Sequence, residues 1–443
     1  MSVIQRIPTR KSVVALAAMV LVFALVMLIG RGGSSKAEAP TQATSVIILS
    51  GDGMGIQQRT AIQYALYGLK KRQPMDALPY TGFLDTISAG PVTVTDSSAG
   101  ATAWSIGKKT INGYTGLPPS KKRVPTLLDL AKDQGKTTAL INDHDVTNAT
   151  LAAFGGPVLN RDNKSLIASK EIHNGKVDIL MGGNEAYWYP KGNEGKIPNT
   201  QPEEDASEGT KGNLVKKAIG EGYQYAYNRK TVAKLTGPKV LALVQDSAKR
   251  KWEDEKGYKY KKDPYYVPMV DLVKKALDIA DDNPNGFFFA MESDDLDSAG
   301  HEHDVRNVIQ SGRTLNQVVK AIQEYRKTNP NVLLIVLADH ETGGMAIEPM
   351  GETNTNSDGD DPIPYWGKKA LNNAGPKGQV PIRSGPVTIK GTHRKFKVDW
   401  TTPEHTGGMV PVTAVGPLAE ELVGVHPNTW VHNVAKRALL GEE

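Results

Sequence analysis

Residues 46–55 read Val-Ile-Ile-Leu-Ser-Gly-Asp-Gly-Met-Gly, an apolar run that leads straight into a glycine-rich turn with one carboxylate, Asp52. Two later runs have the same form, residues 287–291 before Glu292 and residues 332–338 before Asp339. Continuous apolar runs of this length, separated by helical stretches, are typical of parallel strands covered on both faces. Ligands bind such sheets beyond the carboxyl ends of the strands, so we expect these polar groups to gather at one edge.

Strand-like runs alternate with amphipathic stretches, such as residues 269–280, from residue 46 to about residue 350. This alternation predicts a doubly wound α/β fold. Residues 183–265 and 351–400 break the rhythm, and we expect surface insertions there. A further short strand is expected at residues 410–415.

Composition limits the chemistry. The 443 residues include no cysteine, so disulfides are excluded and a zinc site would use only histidine and carboxylate ligands. The formal charge of +5 does not indicate a nucleic-acid partner, because residues 1–39 hold five basic residues and one acid. The rest of the chain therefore carries about +1.

The first 39 residues predict a targeting segment. Arg6, Arg10 and Lys11 precede an uncharged, mostly apolar stretch at residues 12–30, and a linker of mostly small residues follows. An apolar run of about 18 residues suits both a signal peptide and a membrane anchor, so both alternatives stay open. In either case the basic flank predicts that residues 40–443 are exported.

Three clusters contain candidate metal ligands. Asp297 and His301 have the i, i+4 spacing that places two side chains on one face of a helical turn, although such a pair also occurs as a surface interaction. Asp339 and His340 directly follow a buried run, where polar side chains need partners, and a capped turn is the alternative. His405 is either a further ligand or a loop histidine.

Ser97 is the candidate nucleophile. It leads into the small residues of Ser-Ser-Ala-Gly-Ala-Thr-Ala at 97–103, and a serine there would lie at a helix N-terminus, which favours an alkoxide and an incoming anion. An ordinary helix cap is the alternative. No Gly-x-Ser-x-Gly motif surrounds it, which disfavours a Ser-His-Asp hydrolase, whereas a metal could activate the hydroxyl.

The order of these motifs resembles the alkaline phosphatase family over about residues 45–440. The matching segments are Gly-Asp-Gly-Met-Gly at 51–55, the nucleophile segment at 96–103, the run of Glu292, Asp297 and His301, Ala-Asp-His at 338–340, and His-Thr-Gly at 405–407. The resemblance implies a three-layer αβα sandwich with a large, mostly parallel sheet, and one catalytic domain at residues 40–443. It implies a phosphomonoesterase that uses a phosphoserine, two Zn²⁺ ions and one Mg²⁺ ion.

The resemblance also implies a role for each site residue. Ser97 would be the nucleophile, and Arg161 would hold the phosphate, because it stands thirteen residues after Asn148 in Asn148-Ala149-Thr150, the family's first polar position. The implied metal ligands are Asp52, Asp339 and His340 for one zinc, Asp297, His301 and His405 for the other, and Asp52, Thr150 and Glu292 for magnesium.

Two positions depart from the family's pattern. Asn148 stands where many members have Asp or His, and Ser298 where members commonly have Lys, His or Trp. We expect Asn148, as an outer-shell residue, to weaken magnesium binding. Substrates would be small phosphate monoesters, with membrane contact only through an uncleaved N-terminus, and a homodimer stays open. The alternatives are a phosphodiesterase or nucleotide pyrophosphatase of the same superfamily, and a non-catalytic, membrane-tethered metal- or phosphate-binding protein.

Overall fold

The described part of the chain is a single unit within Thr41–Glu443. The computed structural model describes residues 45–193, 195–198, 209–245, 263–349, 354–355, 362–363 and 383–441. The predicted targeting segment lies outside these ranges. Within them, no helix combines the length and the apolar character that crossing a membrane requires.

The strands of the described residues are numbered in chain order. They are β1 Ser45–Gly51, β2 Tyr80–Asp85, β3 Thr137–Asp145, β4 Ile179–Gly183, β5 Gln224–Ala226, β6 Val240–Leu243, β7 Phe287–Ser293, β8 Val332–Leu337, β9 Glu341–Thr342, β10 Ala346–Pro349, β11 Asn354–Thr355, β12 Pro362–Ile363, β13 Arg383–Thr388, β14 Lys395–Asp399, β15 His405–Thr406, β16 Val410–Val415 and β17 Gly424–Pro427.

The α-helices are numbered in the same way. They are α1 Ile56–Tyr67, α2 Ser97–Ile106, α3 Leu127–Asp133, α4 Ala149–Gly155, α5 Lys164–Ile172, α6 Leu214–Gly220, α7 Arg229–Val232, α8 Met269–Ala280, α9 Asp295–His301, α10 Val305–Arg326 and α11 Trp430–Leu440. Short 3₁₀ turns lie at Pro74–Ala77, His173–Gly175, Ala186–Trp188 and Ala419–Leu422.

A ten-stranded sheet has the order β17-β2-β16-β8-β1-β7-β3-β4-β6-β5. Neighbouring strands are parallel except where β16 pairs with β2 and β8, so β16 runs against the others. β1 lies between β7 and β8, and every residue of these three strands is buried. The three apolar runs are therefore confirmed as adjacent central strands, and the short strand expected at residues 410–415 is β16.

Helices cover the sheet in two groups. In one group α10 contacts both α1 and α8, and α2, α3, α4 and α11 form the second group. The amphipathic stretch at residues 269–280 is α8, as predicted. The expected αβα sandwich on a large, mostly parallel sheet is confirmed.

The first predicted insertion contributes strands to the central sheet. Residues 183–265 contain β5 and β6, which extend the central sheet beyond β4, and Val240–Leu243 is fully buried. The apolar run at residues 240–244 is too short to stand out in a region rich in glycine, asparagine, tyrosine and lysine. In the range 351–400, β13 and β14 pair with β10 in a separate antiparallel sheet, and an insertion there stays a prediction.

Candidate metal and nucleophile site

The candidate ligands lie at the carboxyl edge of the central sheet. Asp52 directly follows β1, Glu292 is the penultimate residue of β7, and Asp339 lies two residues after β8. Parallel register brings these three strand ends side by side. Ser97, the first residue of α2, reaches the same edge, because its hydroxyl lies beside His340.

Three oxygen groups face one nitrogen of His340. Nε2 lies 3.3 Å from Ser97 Oγ, 3.5 Å from Asp52 Oδ1 and 3.3 Å from Asp339 Oδ2. In a Ser-His-Asp triad the serine and the carboxylate bind opposite ring nitrogens. Here they face the same nitrogen, and Nδ1 faces Thr342 instead, at 3.2 Å. The arrangement fits ligands around one cation better than it fits a triad.

Asp297, His301 and His405 form a second convergent group. His301 Nε2 lies 3.1 Å from Asp297 Oδ2 and 3.2 Å from His405 Nε2, which in turn lies 3.6 Å from Asp297 Oδ1. Two nitrogens bound to one tetrahedral zinc at about 2.0–2.1 Å would be about 3.3–3.4 Å apart. The spacing of the two imidazoles therefore suits a shared zinc ion.

Hydrogen bonds at the opposite nitrogens aim these rings. Nδ1 of His301 lies 2.5 Å from the carbonyl oxygen of Pro403, and Nδ1 of His405 lies 3.0 Å from that of Thr95. A carbonyl only accepts, so each Nδ1 must donate, and Nε2 is left as a lone-pair donor for a metal. The backbone thus selects the tautomer that metal binding needs.

A third, oxygen-only group surrounds Glu292. Thr150 and Asp52 lie beside its carboxyl group, and Asn142 Nδ2 donates to Glu292 Oε2 at 2.7 Å. Among the described residues, four buried atoms of the site lack a hydrogen-bond partner: Asp52 Oδ1, Thr150 Oγ1, Glu292 Oε1 and Asp339 Oδ2. Buried polar atoms are normally satisfied, so these orphaned oxygens suit bound cations, and an all-oxygen set suits Mg²⁺.

The pKa values of the buried carboxyl groups also indicate that the site binds cations. Burial, followed by the charge of Asp339, raises the pKa of Asp52 well above its usual value. Burial and the nearby charge of Asp294 likewise raise the pKa of Glu292, and burial with the charge of Asp297 raises the pKa of Asp339 to about 7. Buried carboxylates this close together are stable as anions only with compensating positive charge, which dications supply.

His340 and Asp297 complete the electrostatic pattern. Burial, together with the charge of His405, lowers the pKa of His340, so its ring is neutral, as a metal ligand must be. Burial opposes ionisation of Asp297, but its hydrogen bond to His301 and the charges of the nearby histidines together outweigh burial and lower its pKa. The same bond raises the pKa of His301 to about 9. Asp297 is therefore held as an anion that can bind a cation.

Arg161 is anchored beside the helix that carries Ser97. Its Nη1 lies 3.3 Å from Asp96 Oδ2 and its Nη2 lies 3.2 Å from Asn148 Oδ1. Asp96 caps α2 by accepting from the amide of Ala99 at 2.9 Å. The carboxylate before the serine therefore fixes both the start of the helix and the arginine.

The residues predicted from the sequence come together, and some partners were missed. Thr342 bonds both His340 and Asp297, and Asp294 bonds Asn148. Thr342 lies two residues after His340, on the same face of an extended chain, which is the only signal in the sequence for its role. His303 has other partners: it stacks on Trp400, and its Nε2 lies 2.8 Å from the carbonyl oxygen of Thr402.

Comparisons with known proteins place this chain in a family. A model of the alkaline phosphatase family matches residues 43–440. Alkaline phosphatase 4 of Bacillus subtilis is 27% identical over 451 residues, which cover 92% of this chain and 91% of the relative. Alkaline phosphatase of Escherichia coli is 26% identical over 441 residues, covering 90% and 86%.

Solved structures share the fold. Alkaline phosphatase of Thermus thermophilus superposes with a TM-score of 0.70 at 18% identity, covering 93% of this chain and 95% of that chain. Alkaline phosphatase of the Antarctic bacterium TAB5 has a TM-score of 0.67 at 20% identity, covering 91% and 100%. At these identities the likeness concerns the fold.

Proposed function

Because this chain belongs to the alkaline phosphatase family, we propose that it hydrolyses phosphate monoesters through a phosphoserine at Ser97, in a site that binds two Zn²⁺ ions and one Mg²⁺ ion. Membership makes the chain a phosphomonoesterase of a metal-dependent family. The proposal of a phosphoserine and bound metal ions is supported by the convergence of the Ser97 hydroxyl and two carboxylates on Nε2 of His340.

Each proposed metal has a donor set with suitable chemistry. The set beside Ser97 is Asp52, Asp339 and His340, the second is Asp297, His301 and His405, and the oxygen set is Asp52, Thr150 and Glu292. When bound, the dications lower the pKa of the serine hydroxyl and offset negative charge on the leaving oxygen.

Ser97 begins α2, a helix of ten residues, and is 3% exposed. The helix N-terminus favours negative charge on the serine oxygen and on the incoming phosphate. In the proposed reaction Ser97 Oγ attacks phosphorus, and the alcohol leaves from the opposite side. Water then cleaves the phosphoserine and releases inorganic phosphate.

Arg161 would hold the non-bridging oxygens of the phosphate. The guanidinium has five N–H donors, and the contacts with Asp96 and Asn148 use only part of them. The planar fork can bind two oxygens side by side, which positions phosphorus for attack.

We further propose that the enzyme acts outside the cytoplasmic membrane. Residues 1–39 carry a basic flank and an apolar stretch, which would serve as a cleaved signal peptide or as an anchor. The substrates are small phosphate monoesters, because the proposed arginine contact recognises a terminal phosphate.

A comparison of substrates together with metal analysis tests the proposed function. A chromogenic phosphomonoester and the corresponding diester are assayed across pH, before and after metal removal by a chelator. We expect hydrolysis of the monoester to dominate, about two zinc ions and one magnesium ion per chain, and recovery on adding back both metals. Faster hydrolysis of the diester, or full turnover without metal, would contradict the proposal.

A further inference from the structure

Asn148 lies among four polar partners at the edge of the site. Its side-chain oxygen accepts hydrogen bonds from Arg161 Nη2 at 3.2 Å, from Lys164 Nζ at 3.1 Å and from the amide of Ala149 at 2.9 Å. Its side-chain nitrogen donates to Asp294 Oδ2 at 2.5 Å. One amide group therefore joins the arginine to a carboxylate on the other side.

The chemistry of the partners permits one orientation of this amide. Arg161 and Lys164 only donate, whereas the Asp294 carboxylate only accepts. If the amide were flipped, its N–H groups would face the two cations and its oxygen would face the carboxylate. Asp294, as the only acceptor among these partners, holds the N–H side of the amide, and the oxygen of Asn148 is then turned toward Arg161.

Asp294 is itself held firmly. It is 5% exposed, and its backbone amide donates to Asp143 Oδ1 at 2.9 Å. Its Oδ2 also lies 3.6 Å from Nδ1 of His144. A buried carboxylate in a fixed place is a rigid acceptor, so it can fix a neighbouring amide.

We propose that Asp294 is a positioning residue that fixes the amide of Asn148 and, through it, the guanidinium of Arg161. This role rests on the proposed function, in which Arg161 binds the phosphate. It also explains the amide at position 148, since a carboxylate there would lie at hydrogen-bond distance from the carboxylate of Asp294. In this chain the carboxylate beside Arg161's amide partner is at residue 294 and not at residue 148.

This placement changes the expectation for magnesium. The sequence comparison suggests that the amide of Asn148 leaves the magnesium group short of one negative charge. Asp294 supplies a carboxylate close by, with Oδ2 2.5 Å from the side-chain nitrogen of Asn148. The carboxylate of Asp294 therefore compensates for the negative charge that residue 148 lacks.

A matched pair of variants tests the positioning role. Asp294→Asn and Asp294→Ala both remove the charge, but only the first keeps an acceptor for the Asn148 amide. Binding of inorganic phosphate to the metal-loaded protein is measured by calorimetry, and KM and kcat with a phosphomonoester. We expect Asp294→Ala to bind phosphate about five- to tenfold more weakly than Asp294→Asn, as for one lost hydrogen bond, with KM affected more than kcat.

The same pair is then compared in an Asn148→Ser background. Serine keeps a hydroxyl that can cap α4 but is too short to join Asp294 to Arg161. The difference between the two variants at residue 294 should disappear there, because no amide remains to be positioned. Asp162→Asn, which removes an exposed carboxylate near Arg161 in sequence, should leave phosphate binding unchanged.

Equal phosphate affinities in the matched pair, or a difference that persists with Asn148→Ser, would overturn the positioning role. If Asp294→Ala does not fold, Asn148→Ser alone must show the same five- to tenfold loss, and wild-type affinity there would overturn it too. A wild-type protein without monoesterase activity would instead contradict the proposed function, so the two failures are distinguishable.

Discussion

The hydroxyl oxygen of Ser97 lies 3.3 Å from Nε2 of His340, on the side of the ring that also faces Asp52 and Asp339. If the histidine were a general base, its other nitrogen would face a carboxylate. That nitrogen faces the hydroxyl of Thr342, which also bonds Asp297. Thr342 therefore links the two proposed zinc groups, and this arrangement suits the proposed role of His340 as a ligand whose Nε2 faces the hydroxyl of Ser97.

Substitution of the two adjacent serines tests the nucleophile. We expect Ser97→Ala to lower kcat at least about a thousandfold, because the nucleophile acts as a unit with the metals and the arginine. Ser98→Ala should have a mild effect, since the buried hydroxyl of Ser98 has no hydrogen-bond partner among the described residues. Steady-state kinetics with a phosphomonoester check this. The opposite ranking of the two variants would show that Ser98 is the nucleophile.

Removal of a histidine ligand tests the second zinc group. His405→Ala should weaken zinc binding at least about a hundredfold and lose activity, because it removes one of three protein ligands. His393→Ala changes an exposed histidine and should keep both zinc ions. Metal content is measured after dialysis against a weak chelator. Full zinc occupancy in the His405 variant would exclude this residue from the site.

We expect Glu185 to make the stability of the folded protein depend on pH, independently of the metals. Burial raises its pKa to about 7, although its carboxylate accepts from the amides of Lys196 and Ile197 and from the hydroxyl of Tyr225. Because the folded-state pKa exceeds the unfolded value, its stabilisation is full below about pH 4.5 and is lost as pH rises toward 7.

Glu185→Gln cannot titrate and is the reference. The free energy of unfolding of the wild type, minus that of the variant, should fall by about 2–3 kcal/mol between pH 5 and pH 8. Denaturant unfolding at several pH values measures this difference. A difference that is constant with pH would mean that Glu185 titrates near its ordinary pKa.

The N-terminal segment predicts where the enzyme is found. Mass analysis of the native protein should give either a chain that begins near Glu38 or an intact anchored chain on the outer side of the membrane. Fractionation with a cytosolic marker is the control. Active, full-length protein in the cytosol would contradict both forms.

Local patterns predicted much of the fold and of the candidate site. The apolar runs of β1, β7 and β8 are continuous because these strands are buried on both faces, and the polar residues that follow them must then meet at one edge. β5 and β6 were missed, because strands of three and four residues in polar sequence surroundings leave little pattern.

The partners of the ligands could not be predicted in the same way. His405 is aimed by the carbonyl of Thr95, and Asn148 by Asp294, which are contacts between residues far apart in sequence. Their chemistry depends on which loops meet, and no local periodicity encodes that. The resemblance to a family supplied candidates for these positions, but the orientation of each ring and amide came from the structure.

Trapping the intermediate is the direct test of the proposed phosphoserine at Ser97. The metal-loaded enzyme is mixed with a phosphomonoester at mildly acidic pH, quenched in acid and digested, and the peptide that contains Ser97 and Ser98 is analysed by fragmentation mass spectrometry. We expect one phosphate on Ser97, absent from Ser97→Ala. Phosphate on Ser98, or rapid hydrolysis with no phosphorylated peptide at any time point, would contradict it.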